Sequence, residues 1–534
     1  MKAWSELRGF GSYLAALRRY LQQPLTQEEA VTRIRRQLER REDAFLEILG
    51  PGVFQNPRSP YLALFREAGV EQADVARLVR DEGLEPALER LYDVGVRVTL
   101  EESRGHSPIR RGGTEFPTRA TDFANPLAAS HFEVRTGGSR SGGTPVGWNF
   151  ALIDYAAGYN MLLLTAHGLQ SAPTATWRPA PPGAAGLSAV LTHAKLEEPV
   201  RRWFSQTEPG WRGASAKHAL LTRATVVVSR LAGRPLPMPE YTPPERADEV
   251  ARWLAETKAS GRLPSLVTTP GSAVRVCLAA REHGLDISGT VFRLGGEPYT
   301  DGRAAEVAAA GCGAIAGYYM AEFGGHVGMS CAAPETLDDV HLLTDKVAVI
   351  LREKQVGPSA IVGALTYTTL HPSCPKLLIN LESDDYASVR ERDCGCLFGD
   401  AGFSLHLHDI RSYEKLTSEG TTFLGSDVIR LLEQVLPGRF GGSATDYQLV
   451  EQEQQGISRV AIVISPRVGD VDESRIVEAV ISFLRSRGPA QAMMADVWNG
   501  SGTLHVVRRE PYVTGGKIQA VHVLGGRSTS DQSG

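Results

Sequence analysis

Between Arg293 and Leu343 the chain reads RLGGEPYTDGRAAEVAAAGCGAIAGYYMAEFGGHVGMSCAAPETLDDVHLL, and this stretch constrains the rest. It opens on the turn Gly295-Gly296-Glu297-Pro298, where glycine tolerates positive φ and proline presets the exit. A helical run follows, then the loop Tyr318-Tyr319-Met320-Ala321-Glu322, and the stretch closes on Cys331 and His341. Singly, each feature has an ordinary explanation as a turn, a solvated carboxylate, a core thiol or a core imidazole. Together they place a backbone-exposing turn, a loop ending in a carboxylate and two soft metal ligands in close succession. A core alone does not require that chemistry.

The flanking pattern indicates what the stretch sits on. Leu266 to Thr269 reads as a strand entering the turn Pro270-Gly271-Ser272; a helix carrying Val274, Leu278 and His283 follows, and a second strand ends at Leu294. Strands alternating with helices argue for an α/β sheet. Ligands of open α/β sheets lie beyond the carboxyl ends of strands, so the Gly295–Pro298 turn is placed to meet a nucleotide. Upstream, residues 223–230 (RATVVVSR) read as a buried strand from their β-branched run. Residues 242–258 read as a helix with Thr242 as N-cap, and 171–188 as a proline-bearing loop. Residues 27–49 read as one charge-laced helix, and 61–95 as further helices with Gly69, Gly83 and Gly95 at C-caps.

From Ile410 the composition changes. A helix is expected at 426–436, a strand at 458–465 and a helix from Asp472 with Ile476, Val480 and Leu484 on one stripe. Two short strands near 491–498 and 503–508 complete a small α+β domain. The expected architecture is α/β: a large domain of several subdomains over 1–409, including a helical segment 1–110, and a small mobile C-terminal domain over 410–534.

With 534 residues, 42% of them hydrophobic, the chain buries more than one core. A net charge of −4 with no basic block argues against nucleic acid as a partner. No apolar run approaches membrane-spanning length, and MKAWSELRGFGSYLAALRRYL lacks the apolar core of a signal peptide. Six cysteines in such a length are no disulfide scaffold. The expectation is a soluble cytoplasmic protein with reduced thiols and no membrane association.

Four further motifs carry chemistry. Residues 131–146 (HFEVRTGGSRSGGTPV) put Thr136, Gly137, Gly138, Ser139 and Ser141 in a loop whose N–H and hydroxyl groups could wrap phosphate oxygens. A polar linker has the same composition, and the loop lacks the Gly-Lys-Ser/Thr ending of a Walker motif. Cys331, His341 and Cys394-Gly395-Cys396 make a set of three thiolates and one imidazole, which tetrahedral Zn²⁺ takes as a closed structural site. His371 with Cys374 is a competing cluster, while Cys277 and Cys312 read as core thiols. Residues 376–385 (KLLINLESDD) read as a strand ending in acids, and Lys517 lies in a Gly-Lys turn near the C-terminus.

The order of these motifs resembles the AMP-forming adenylating enzymes, and within them the phenylacetate–CoA ligase-like branch. The resemblance spans roughly residues 130–520; residues 1–110 fall outside it. It implies that 136–141 bind phosphate, that Gly295–Pro298 edge the adenine with Tyr318 against the ring, and that Asp385 grips the ribose hydroxyls. It implies further that Glu322 reaches a Mg²⁺ ion on the ATP phosphates, that Lys517 is the catalytic lysine and that His167 lines the acyl pocket. The chain departs from the family pattern at four positions. Arg140 interrupts the phosphate loop, Ala321 stands where the family has threonine, and Asn380 and Glu382 stand where it has arginines.

The activity so implied is ATP-dependent activation of a small carboxylic acid as an acyl-adenylate, followed by transfer to a thiol, most simply coenzyme A. ATP, Mg²⁺, structural Zn²⁺ and coenzyme A are the implied cofactors and co-substrates, and a homodimer is compatible with the family. A carrier-protein or enzyme thiol as acceptor stays open. So does a zinc-containing nucleotide-binding protein that has lost catalysis, for which Ala321, Asn380 and Glu382 speak.

Overall fold

Short apolar runs rich in β-branched and aromatic residues build one half of a large sheet. Thr174–Trp177 and Ser265–Thr268 are buried at every position, as strands covered on both faces must be. The computed structural model describes residues 2–523, apart from 130, 136–144, 182, 209–213, 357–359, 413–414, 419–420, 425–429, 444–445, 455–456, 488, 515–516 and 519–520.

Six strands run parallel, in the spatial order Pro239–Tyr241, Val200–Ser205, Thr174–Trp177, Ser265–Thr268, Val291–Gly295 and Gly313–Met320. The first three in sequence are laid outward in one direction, through the helices Ala185–His193 and Ala214–Leu231. The chain then returns to the other side of Thr174–Trp177 and lays the next three, through Pro270–Glu282 and Asp301–Ala309. The strand order therefore reverses between Thr174–Trp177 and Ser265–Thr268. That reversal parts the connections at the carboxyl ends and opens a crevice.

Gly313–Met320 is also a seam. Its other neighbour, Gly325–Ser330, is antiparallel, and from there the sheet continues through Val340–Leu342, Leu405–Ser412, Leu381–Glu391, Ala360–Thr369 and Val347–Val356. A register shift between Tyr318 and Tyr319 bends the strand where the two halves meet.

The segment outside the family resemblance is part of this body. Phe45, Leu64 and Leu88 share one core with Phe123, Leu365, Tyr367 and Leu381. Val98–Thr99 adds a short parallel strand beside Leu381–Glu391. Asn380 fastens the two: its amide donates to the carbonyls of Leu88 and Val96 at 2.9 and 3.1 Å, and its φ of 51° is one asparagine tolerates. Glu382 accepts from the Tyr92 hydroxyl at 3.0 Å and pairs with Arg97 at 3.4 Å. Asn380 and Glu382 thus hold the N-terminal segment.

The C-terminal part is a small sheet domain. Its four strands lie in the order Leu504–Arg508, Ile457–Ile464, Tyr447–Gln454 and Val521–Val523. The helices Glu473–Arg487 and Pro489–Gly500 contribute to a core of Leu449, Ile462, Val480 and Trp498. Among the described residues no helix is long and apolar enough to cross a membrane.

The structure corrects several sequence expectations. Residues 223–230 are not a strand but part of the helix Ala214–Leu231. Its buried stripe is Ala219, Thr222, Val226 and Ser229, at helical spacing, while Val227 in the β-branched run is 54% exposed. The hydroxyls of Thr222, Thr225 and Ser229 return to carbonyls one turn back, which lets polar residues line that buried face. Residues 491–498 are helical, as their alanines and methionines favour. The 27–49 helix breaks at Arg40, and the helix expected from Thr242 starts as a short 3₁₀ turn at Pro244–Arg246. The 171–188 loop contains the strand Thr174–Trp177, and the strand expected at 376–385 starts only at Leu381.

Asn380→Ala should lower unfolding free energy by about 1–3 kcal/mol, the scale for leaving buried acceptors unmatched. Denaturant melts of the two proteins check this; an unchanged midpoint would show that Asn380 does not hold the N-terminal segment.

Candidate active site

Two adjoining cavities open at the carboxyl ends of the parallel strands, of about 320 and 140 Å³. Gly296, Ala316, Gly317, Tyr319 and Asp385 line both. The smaller holds together residues far apart in sequence: the Gly296-Glu297-Pro298 turn, Tyr318, Asp385 and Arg411. The glycines have a steric reason. A Cβ on Gly295 would fall 2.1 Å from the Tyr319 ring, and Gly296 has φ of 90°. The Tyr318 hydroxyl donates to Asp385 Oδ2 at 2.6 Å. Asp338 accepts from the backbone of Asp409 and Ile410 and from Arg411, fixing the end of the strand that presents Arg411.

Glu297 does not face outward from its turn. Its carboxylate is buried, accepts from the backbone N–H of Gly271 at 3.0 Å and pairs with Arg303 at 2.9 Å. Arg303 in turn donates to the carbonyl of Pro298 at 2.6 Å. The turn is thereby tied to the helices on either side of it.

Glu322 lies on the wall of the larger cavity, buried and paired with Arg104 at 2.5 Å. Burial opposes its charge, but the Arg104 guanidinium and then the Lys376 ammonium hold its carboxyl down at about 2. Lys376 is itself buried, which lowers its pKa to about 8, and its ammonium has no hydrogen-bond partner. Ala321 lies beside Glu322 on the same wall. Sequence reasoning missed Arg104, which comes from the N-terminal segment.

The inner wall carries polar groups that the sequence reading also missed. Arg178 donates to the carbonyls of Thr268 and Gly295 at 2.6 and 2.8 Å. Arg293 donates to His193 Nε2 and to Asn160 Oδ1, both at 2.6 Å. His326 lies against Tyr319 with ring centroids 3.9 Å apart. The legible signal for Arg293 was a lone cation inside the otherwise apolar strand VFRLG. His167 closes the end of the helix Phe150–Ala166, and the cavity wall carries His193 and His326 in its place.

Cys331, His341, Cys394 and Cys396 meet, with one donor atom from each within 4.8 Å of the others. His341 Nδ1 lies 2.8 Å from the Phe403 carbonyl, to which it donates, turning Nε2 toward Cys396 Sγ at 3.1 Å and Cys394 Sγ at 3.6 Å. A neutral imidazole with its free nitrogen facing three thiols is a donor set that fits a tetrahedral metal ion. His371 and Cys374 lie apart from this set, beside Tyr155 and the Phe323 carbonyl. Thr136, Gly137, Gly138, Ser139 and Ser141 lie outside the described residues, between the paired strands Phe132–Arg135 and Pro145–Trp148. Lys517 sits on a short hairpin, its backbone opposite Thr514.

No protein-family model and no curated protein matches this sequence. Solved structures do. A 2-hydroxyisobutyryl-CoA ligase, in complex with 2-hydroxyisobutyryl-AMP and CoA in the thioesterification state, aligns at a TM-score of 0.56 and 15% identity, over 94% of this chain and 91% of that one. A malonyl-CoA ligase with methylmalonyl-CoA and AMP aligns at 0.41 and 14%, over 86% and 84%. The o-succinylbenzoate CoA synthetase of Bacillus subtilis aligns at 0.37 and 13%, over 74% and 69%. The first alignment establishes the fold: a large α/β domain and a small C-terminal sheet domain, as in AMP-forming acyl-CoA ligases.

The Glu322 pairing has a pH signature. Its pKa is held from 4.5 down to about 2, so its stabilising contribution is full above pH 4.5 and is lost as pH falls toward 2. Glu322→Gln should cost roughly 3 kcal/mol at neutral pH, with the deficit shrinking across that acid window. Urea melts of both proteins at pH 7 and pH 3 test this; an equal difference at both would remove the ion pair from the account.

Proposed function

We propose that this chain is an ATP-dependent acid–thiol ligase that forms an acyl-adenylate and passes the acyl group to coenzyme A. The observation that carries the reading is the convergence of the Gly296-Glu297-Pro298 turn, Tyr318 and Asp385 on one cavity, which adjoins the larger cavity at the strand-order reversal. The fold shared with a CoA ligase that holds an acyl-adenylate and CoA supports it. Its motif order is nearest to the phenylacetate–CoA ligase-like branch.

In this reading adenine lies along the turn and against Tyr318. The Tyr318 hydroxyl orients Asp385, whose carboxylate accepts the ribose hydroxyls. The acid occupies the larger cavity, its reacting carboxylate toward Ala321 and Glu322. Glu322 would hold Mg²⁺ as an oxygen ligand, exchanging Arg104 for the ion, which would supply charge neutralisation on the phosphates. Arg104 and Lys376 keep Glu322 ionised meanwhile. Attack of the acid on the α-phosphate forms the C–O–P bond and releases pyrophosphate; a thiol then displaces AMP.

The small domain is proposed to pivot beyond the strand Leu405–Ser412, which holds Ile410 in the large sheet. Here the helix Pro489–Gly500 meets the large domain: Val497 lines the larger cavity and the Ser501 carbonyl accepts from Arg275 at 3.4 Å. We assign this arrangement to thiol transfer. Rotation then brings Lys517 over the α-phosphate for adenylation, a hinge motion of a familiar kind. A carrier-protein thiol would use the same chemistry. A chain without catalysis would show no exchange at all.

Pyrophosphate exchange over a panel of acids tests the reading. Lys517→Ala should slow exchange on the order of 100-fold or more while sparing thiol transfer from supplied acyl-AMP. No exchange in the parent with any acid would reject adenylation; exchange that survives Lys517→Ala would reject the lysine assignment.

Cys331, His341, Cys394 and Cys396 are proposed to hold one structural zinc ion per chain. Because such a metal is coupled to folding, Cys394→Ser should lower stability without changing the acid preference. Metal analysis of the purified protein that finds no zinc would reject the site.

A further inference from the structure

Charge is distributed unevenly around the larger cavity. Its wall carries the arginines Arg104, Arg178 and Arg293 and the carboxylates Glu322 and Asp385. Glu322 answers Arg104. Asp385 accepts from Tyr318. Arg178 is oriented by two backbone carbonyls and feels the field of Glu297. Arg293 has no carboxylate partner among the described residues, although it is only 6% exposed.

The partners of Arg293 are both neutral. His193 Nδ1 lies 2.7 Å from the Ala189 carbonyl and donates to it, so Nε2 is the acceptor that meets the guanidinium. Burial, and then Arg293 itself, lowers the His193 pKa to about 3, so the ring adds no charge of its own. Asn160 donates to the Ala156 carbonyl at 2.9 Å, which leaves its oxygen for Arg293. These two residues aim the guanidinium without neutralising it. Its Nε has no hydrogen-bond partner. Burial brings its pKa down to about 10, which still leaves it charged at neutral pH.

A buried cation with only neutral partners costs several kcal/mol of solvation, and a fold retains one where something else repays it. A core strut between Asn160 and His193 could be built without a charge. A guanidinium presented to a cavity is suited to a planar oxyanion, which it meets with parallel N–H donors. Arg293 stands two residues before Gly295 on one strand, roughly 7 Å away. Arg293 lines the same cavity as Ala321 and Glu322, toward which the reacting carboxylate is placed, so one acid can meet both.

We propose that the acid taken by this site carries a second carboxylate, and that Arg293 receives it. The inference rests on the adenylation reading for which carboxylate reacts, but not for whether a diacid binds.

The test uses the purified full chain with succinate, glutarate and adipate against butyrate, valerate and hexanoate. In pyrophosphate exchange, one diacid should exceed its matched monoacid on the order of 100-fold in kcat/KM, the scale for a buried charge pair. Arg293→Met should erase that preference, and Arg293→Lys should restore part of it. A parent that prefers monoacids, or an Arg293→Met protein that keeps the diacid preference, overturns the proposal while leaving adenylation intact. If no acid supports exchange, adenylation fails by itself and calorimetric binding of the same six acids decides. Diacid-selective binding lost in Arg293→Met supports the proposal, and no selective binding overturns it. Should Arg293→Met fail to fold by circular dichroism, the parent's ratio of diacid to monoacid is the deciding measurement.

Discussion

The Glu297 carboxylate is the point on which the site geometry hangs. It is fully buried, and such a charge is tolerable only when it is paired. Gly271 supplies a backbone N–H at the start of one helix, and Arg303 supplies a guanidinium from the first turn of the next. Both helices follow parallel strands whose ends border the crevice. One carboxylate therefore fixes the spacing of two strand ends and holds the Gly295–Pro298 turn between them. Glycine at 295 then lets Tyr319 close over the backbone. A residue that reads in sequence as part of a ligand-binding turn acts in the structure as the bolt beneath it.

A second constraint comes from the N-terminal segment. Its core is continuous with that of the antiparallel half of the sheet, so it contributes to folding rather than decorating the surface. It also delivers Arg104 to Glu322, from the end of the helix Leu100–Arg104. The pair sits in a low-dielectric pocket where an unpaired carboxylate would take up a proton. Arg104 keeps it charged, at the cost of having to yield if a metal ion is to bind there.

Part of the architecture was legible because Ser265–Thr268 and Val291–Gly295 are short, apolar strands separated by a helical stretch. The Gly-Gly-Glu-Pro turn was legible as a local pattern, and the Cys/His set as a ligand pattern whose halves, His341 and Cys394, are separated by three strands. The helix Ala214–Leu231 was not. Its buried stripe is small and partly hydroxylic, and a β-branched window outweighed it. The inner cavity wall was illegible for a different reason. Arg178, His193 and Arg293 come from three separate elements, and only the reversed strand order brings them together. What a linear reading could have used was a rule of cost: an arginine in a buried strand needs an answer, and the carboxylate nearest it downstream, Glu297, is taken by Arg303.

The departures from the family pattern divide into two kinds. Asn380 and Glu382 are engaged with Leu88, Tyr92, Val96 and Arg97, which lie outside the region of resemblance. A chain drifting after loss of catalysis would not be expected to place two substituted residues in complementary contact with an added segment. An asparagine in the left-handed region with its amide on two carbonyls is a built contact. Those two changes are therefore explained by the N-terminal segment and say nothing against activity. Ala321 is different: among the described residues none is seen to replace a hydroxyl at that position. Arg104 and Lys376 are the two cations that converge on Glu322 beside it. Lys376, buried without a hydrogen-bond partner, has the donors to spare. Arg104, already answered by Glu322, is the one of the two that lines the cavity.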